Sequence, residues 1–141
     1  MSNTASVLHL RSRLTSLARG IRISVIPATA DVSLPQSEKD DFIIFEGEKL
    51  RRKRMVLLAP RCVVASCTMC PLPNEAIDSR RRAVGAIDII RQFGSAFSKE
   101  PITNYDLITV YNNGNFFADA EIHPDARRYI YDQVGKSNAR A

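Results

Sequence analysis

The chain has 141 residues, of which 45% are hydrophobic and 25% charged, a composition typical of a single globular domain. Its formal net charge at pH 7 is +5. It contains no apolar run of about 18 residues, which excludes a transmembrane helix. Arginines interrupt the apolar residues near the N-terminus, so no secretory signal peptide is predicted. We therefore expect a cytoplasmic protein with no membrane contact and with reduced cysteines.

Residues 1–36 are predicted to be an N-terminal extension and linker. A loose apolar stripe predicts a helix within residues 1–20, and residues 21–26 are compatible with a short strand. Residues 27–41 are rich in Pro, Ser and Asp, which is typical of a surface loop. The main domain is accordingly predicted to span residues 37–141.

Two apolar runs separated by basic residues open this domain. The runs 42–45 and 55–59 predict a hairpin whose second arm is a buried strand. The basic residues 49–54 between them are interpreted as a solvated turn, and the arginines 80–82 as a solvated helix face. Nucleic-acid binding is the alternative, but the interleaved aromatic residues of a nucleic-acid platform are missing.

Strand and helix patterns alternate from residue 55 onwards. Apolar residues at helical spacing predict an amphipathic helix over 75–93, with Asn74 as its N-cap and Gly94 as its stop. Its apolar stripe comprises Ile77, Val84, Ile87, Ile90 and Phe93.

A buried strand is predicted at 107–111, followed by a helix from Pro124 through Val134. The stripe of this helix is Ala126, Ile130 and Val134. This alternation predicts an α/β fold, in which parallel strands are joined by crossover helices.

All three cysteines, Cys62, Cys67 and Cys70, lie within nine residues that follow the strand at 55–59. An odd, tightly clustered set of thiols suits a metal better than a disulfide framework. Three thiolates are one short of a closed tetrahedral site, so one position stays open for chemistry. The alternatives are a zinc site closed by His9 or His123, and unpaired cysteines in the core.

A second polar loop, Asn112-Asn113-Gly114-Asn115, follows the strand at 107–111. The carboxyl ends of parallel strands meet at one edge of a sheet, so this loop is expected beside the cysteines. A type I′ hairpin turn at Asn113-Gly114 is the alternative. Glu121 and His123 are interpreted as polar groups at the start of a helix, with a role as substrate or site groups as the alternative. Arg127 and Arg128 are interpreted as a solvated helix face.

The residues 62–70 and 111–117 together resemble those of the radical SAM superfamily. Cys67-Thr68-Met69-Cys70 is similar to the family's pair of cysteines two residues apart, with a bulky residue before the second. The segment 111–117, followed by Glu121-Ile122-His123-Pro124 and an Arg-rich helix, looks most like the Elongator-like and archaeosine-synthase-type branch. The resemblance covers about residues 40–141.

The resemblance implies a partial (β/α) radical SAM barrel of about two βα units, preceded by a hairpin and an N-terminal extension. Cys62, Cys67 and Cys70 would ligate a [4Fe–4S] cluster, and its open iron would bind S-adenosylmethionine (SAM). Met69 would pack near the adenine, and residues 112–115 would contact the methionine amino group. Reductive cleavage of SAM to a 5′-deoxyadenosyl radical would then abstract hydrogen from a substrate. The implied partners are an electron donor such as ferredoxin or flavodoxin, and a tRNA or small-molecule substrate.

The sequence departs from the family pattern in three respects. The gap between Cys62 and Cys67 is one residue longer than the commonest spacing. The Asn-Asn-Gly-Asn loop lacks the carboxylate of the usual Gly-Gly-Glu type. Only two strand–helix units are present, fewer than a radical SAM core contains, so we expect a truncated N-terminal portion of a longer enzyme that is inactive alone. The alternative function is a non-catalytic module that binds zinc or associates with tRNA.

Overall fold

The computed structural model describes residues 9, 10, 12–14, 16, 17, 26, 29–62, 70, 76, 77 and 83–139. In chain order these residues form strands β1 (Ser37–Phe45) and β2 (Glu48–Leu57), helix α1 (Ala86–Ser95), a 3₁₀ turn (Ile102–Asn104), strand β3 (Leu107–Asn112) and helix α2 (Pro124–Gly135). The mixed α/β class predicted from the sequence is confirmed. The described residues between 9 and 17 are also helical, while most of the strand predicted at 21–26 lies outside the described residues.

Strands β1 and β2 form an antiparallel hairpin through the two-residue turn Glu46-Gly47. Both turn residues have positive φ, 50° at Glu46 and 82° at Gly47. These angles suit the type I′ turn, whose twist matches that of the strands. Two predictions are therefore corrected: residues 49–54 belong to β2 and are not a turn, and residues 37–41 belong to β1 and are not a loop.

Strand β3 pairs in parallel with β2, giving a three-stranded sheet of order β1-β2-β3. The register runs from Arg52 opposite Leu107 to Leu57 opposite Asn112. Parallel neighbours require a crossover, and α1 lies in the connection between them. The predicted parallel pair with a crossover helix is confirmed.

Helix α1 starts much later than the sequence pattern predicted. It begins at Ala86 instead of residue 75, and Gly85 is its N-cap, whose N–H donates to the Asp88 carboxylate at 2.9 Å. Ile77 lies in an isolated parallel bridge with Pro60. Asn74, the predicted cap, lies outside the described residues.

The buried face of α1 also differs from the predicted stripe. Ile89, Gln92 and Phe93 are buried, whereas Ile87 is 58% exposed. Ile77 instead packs with Leu58 in a small separate cluster. Ile77, which the spacing assigned to the helix, is thus buried in this cluster and is not part of α1.

One main core joins the sheet to both helices. Met55 and Leu57 of β2 face this core together with residues of α1 and α2. The buried members are Met55, Leu57, Ala59, Ile89, Phe93, Ala96, Ile122, Ala126 and Ile130. The prediction for α2 is confirmed: it starts at Pro124, buries Ala126 and Ile130, and packs Val134 against the same core. In the described part of the chain, no helix is long and apolar enough to cross a membrane.

Candidate functional site

The cysteine segment leaves the carboxyl end of β2 and is closed at its base by backbone pairing. The N–H of Arg61 donates to the Ile77 carbonyl at 3.1 Å, and the N–H of Ile77 donates to the Ala59 carbonyl at 3.0 Å. The two ends of the cysteine segment, at Arg61 and Ile77, are therefore held together. Cys62 and Cys70, which lie within this segment, are half-buried free thiols.

Gln92 of α1 fixes the backbone just before this segment. Its side chain is fully buried. Its Oε1 accepts the N–H of Leu58 at 2.7 Å, and its Nε2 donates to the carbonyls of Leu58 at 3.0 Å and Val32 at 2.9 Å. One amide thus satisfies three buried backbone groups and ties together α1, the end of β2 and the segment before β1.

The polar loop after β3 packs directly against Cys62. A β-carbon placed on Gly114 would lie 3.2 Å from Cβ of Cys62 and 1.8 Å from Oε2 of Glu121. The sequence predicted that the two loops lie side by side, and the structure places Cys62, the first residue of the cysteine loop, beside the polar loop. The close approach also explains why residue 114 is glycine, because any side chain there would displace the buried carboxylate.

Glu121 belongs to this site, although the sequence favoured a polar group at the start of a helix. It is only 2% exposed, so it is not a solvated group at the start of a helix. Its carboxylate accepts the N–H of Asn115 at 2.6 Å and the Nδ2 amide of Asn112 at 3.3 Å. The Glu121 side chain therefore holds two residues of the loop, Asn112 and Asn115, in place by hydrogen bonds. The nine-residue separation between Asn112 and Glu121 gave no periodic signal that would have linked them.

The asparagine side chains of the loop form hydrogen bonds within the protein. Asn113 is 5% exposed, and its Nδ2 donates to Oε1 of Gln36. The side-chain oxygen of Asn115 accepts the N–H of Phe117 at 3.0 Å.

Gly114 has no positive φ, since Glu46 and Gly47 are the positive-φ residues among those described. The type I′ alternative at Asn113-Gly114 is therefore wrong.

Two predicted polar positions on α2 have different outcomes. His123 is the N-cap of α2, and its Nδ1 accepts the N–H of Asp125 at 3.2 Å, in line with a capping role. Arg127 is only 16% exposed and donates to the carbonyls of Phe116 and Ile122, so it is not part of a solvated face. Arg128 is 76% exposed, as predicted.

The basic residues of β2 are largely neutralised by acids of β1 and of the loop before β3. Arg51 donates two hydrogen bonds to Glu100, at 2.5 and 2.6 Å, and Arg52 donates two to Asp41, at 2.8 and 2.9 Å. The Arg51 hydrogen bonds lower the pKa of Glu100 to about 2. Those from Arg52 likewise lower the pKa of Asp41. Arg51 and Arg52 lie toward the opposite end of β2 from the cysteines, and their pairing removes much of the charge argument for nucleic-acid binding.

Two of the predicted metal and cofactor residues, Cys67 and Met69, lie outside the described residues, as do the arginines 80–82. Within the described ranges, which lack Cys67, no group of three or more His, Cys, Asp or Glu side chains is placed to hold a metal ion. Of the three cysteines, the described Cys62 and Cys70 are free thiols, and Cys62 lies beside the polar loop. Comparisons with protein-family models, curated proteins and solved structures gave no match.

Proposed function

We propose that the chain is a radical SAM protein, in which Cys62, Cys67 and Cys70 hold a [4Fe–4S] cluster and the polar loop at 112–115 contacts SAM. The observation that carries this proposal is the packing of Cys62 against Gly114, where the parallel strands β2 and β3 end. Reactive groups in α/β folds gather at this edge. The partial barrel, with this sheet as its first part, and a cytoplasmic location belong to the same proposal.

Contacts within the chain fix the position of the start of the cysteine segment. Pairing of Pro60 with Ile77 and the hydrogen bonds of Gln92 hold the start of the cysteine segment against the core. Cys62 and Cys70 are half-buried, so their thiols combine partial shielding from water with access for a cluster. A bound cluster supplies reductive cleavage of SAM for hydrogen abstraction from a substrate.

Glu121 positions the loop that is proposed to contact SAM. The carbonyl of Asn115 accepts the N–H of Ala118 at 3.0 Å, and its side-chain oxygen is also engaged. We therefore assign contact with the SAM ammonium to the backbone carbonyl of Gly114, earlier in the loop. Glu121 keeps this part of the loop in place through its bond to the Asn115 N–H.

The test is anaerobic reconstitution of the full chain with iron and sulfide, followed by absorption and EPR spectroscopy with and without SAM. We expect a brown protein with broad absorption near ~400 nm. Its reduced EPR signal should shift when SAM is added. Cys62→Ser, Cys67→Ser and Cys70→Ser should each lower the bound iron and sulfide, whereas Ser66→Ala, a matched change within the same segment, should leave them unchanged.

A colourless protein that carries zinc would contradict the proposal and favour the structural zinc module instead. In that case His9→Ala or His123→Ala should reduce zinc content, because a tetrahedral zinc site needs a fourth ligand. Equal iron uptake by the three serine variants and by Ser66→Ala would also contradict the proposal, since it would show that the cysteines do not ligate iron.

A further inference from the structure

A cleft of about 420 Å³ lies on the face of the sheet turned away from the main core. Met55 and Leu57 of β2 point into that core, so Arg54 and Val56 project from the opposite face. Lys39 of β1 and Tyr111 of β3 line the same cleft. Tyr111 immediately precedes the polar loop, so the cleft lies beside the edge that carries Cys62.

Two cations face each other in this cleft. Lys39 lies directly opposite Arg54 in the register of β1 and β2. It is the one like-charged pair of the hairpin, whereas Asp40 opposes Lys53 and Asp41 opposes Arg52. Like charges directly across a ladder destabilise a sheet, so this pair is unfavourable unless an anion lies between them.

The carboxylate of Asp41 lies near both cations, but it carries a single negative charge. Both oxygens of Asp41 accept hydrogen bonds from Arg52, and the Arg54 guanidinium lies 3.9 Å from one of them. Lys39 also contributes to lowering the pKa of Asp41, so Arg52, Arg54 and Lys39 share this one carboxylate. Arg54, whose side chain is 40% exposed, therefore retains hydrogen-bond donors that face the cleft.

We propose that this cleft binds the phosphate group of a small phosphomonoester. The phosphate lies between Lys39 and Arg54, where the planar guanidinium supplies paired donors and the ammonium a second positive charge. The ring of Tyr111, 49% exposed, packs against the organic part of the ligand. A phosphomonoester carries nearly two negative charges at neutral pH, which match these two cations.

The charge pattern favours a single phosphate over a nucleic-acid backbone. Arg51 and Arg52 are committed to Glu100 and Asp41, so they offer no continuing track of free cations along β2. A polyanion needs several such contacts to bind at physiological salt. The identification of this ligand as the substrate rests on the proposed radical SAM function. Binding of the ligand to the cleft is independent of that function, because no residue of the cleft is a cysteine.

The test is calorimetric titration of the full chain with phenyl phosphate and with inorganic phosphate at low salt, before and after cluster reconstitution. Lys39→Gln and Arg54→Gln should each weaken phenyl phosphate binding about tenfold or more, as expected for loss of a charged hydrogen bond. Tyr111→Leu should weaken phenyl phosphate but spare inorganic phosphate. Arg128→Gln, which removes an exposed positive charge elsewhere on the surface, should bind both ligands as the unchanged chain does.

The folded state of the variants provides an independent check. Removing the like-charge repulsion should raise the thermal midpoint of Lys39→Gln in phosphate-free buffer, so weak binding by that variant is not due to unfolding. Lys39→Arg, which keeps the positive charge, should bind phenyl phosphate more tightly than Lys39→Gln does.

Unchanged affinity in Lys39→Gln, or an equal loss in Arg128→Gln, would overturn the proposal. Tighter binding of a short single-stranded oligonucleotide than of phenyl phosphate would overturn it in favour of a nucleic-acid surface. Absence of phosphate binding with normal cluster uptake would leave the proposed function intact.

Discussion

Replacement of Gln92 by methionine should destabilise the protein more than any exposed substitution in α1. Methionine retains most of the side-chain volume, so the main core stays filled. The change removes one acceptor and two donated hydrogen bonds, and leaves the Leu58 N–H and the carbonyls of Leu58 and Val32 without their partner.

The magnitude follows from the number of buried groups. Each buried backbone group that loses its hydrogen bond costs about 1–3 kcal/mol. The Leu58 carbonyl and the Val32 carbonyl each have a second lone pair and can relax toward water, so we take the lower end of that range for all three groups. The free energy of unfolding should fall by roughly 3 kcal/mol, a large part of the total for a small domain.

Urea unfolding followed by circular dichroism measures this difference. Arg91→Met is the matched control, because Arg91 is the exposed neighbour of Gln92 in α1 and its replacement should change the free energy by less than ~0.5 kcal/mol. Gln92→Met should also speed proteolysis near Val32, which loses its tie to α1. A loss below ~1 kcal/mol would refute the reasoning, since it would mean that water satisfies these backbone groups equally well.

Three further predictions concern glycines and an ion pair. Gly114→Ala should lower the free energy of unfolding by about 1–3 kcal/mol in urea titrations, because the new β-carbon displaces the buried Glu121 carboxylate; a neutral result would contradict the contact. Gly94→Ala, in open space on α1, should raise it by about 0.5–1 kcal/mol. Arg51 lowers the pKa of Glu100 from 4.5 to about 2, so the stability from this pair is present above pH 4.5 and is lost as the pH falls toward 2. In Glu100→Gln, the thermal midpoint should therefore fall less steeply as the pH is lowered from 4.5 toward 2. An unchanged pH profile would show that the pair does not contribute to stability.

Strand β3 and helix α2 were predictable because the residue patterns that indicate them are local. The buried strand that became β3, and Pro124 at the start of α2, depend on residue patterns within a single element. The boundaries of α1 were not predictable in the same way. Ile77 and Val84 have helical spacing, but Ile77 is buried in a small cluster with Leu58, and Val84 packs against that cluster partly buried.

The turns show the same limit. Asn113-Gly114 has the stronger hairpin signature, yet the type I′ turn lies at Glu46-Gly47. The extended pairing of β1 with β2 decided the outcome, because nine cross-strand pairs fix the register around that turn. The basic run of β2 was misread for a related reason, since the acids that neutralise it come from another strand and from the loop before β3.

The sequence by itself determined the clustering of three thiols after a buried strand, the alternation of strands and helices, and hence a mixed α/β fold with its polar loops at one sheet edge. Only the tertiary structure decided that Glu121 lies beneath the second loop, that Gln92 anchors the start of the first, and that Lys39 faces Arg54. The physical reason is that burial and charge pairing between distant segments depend on register and packing, which no local pattern of residues encodes.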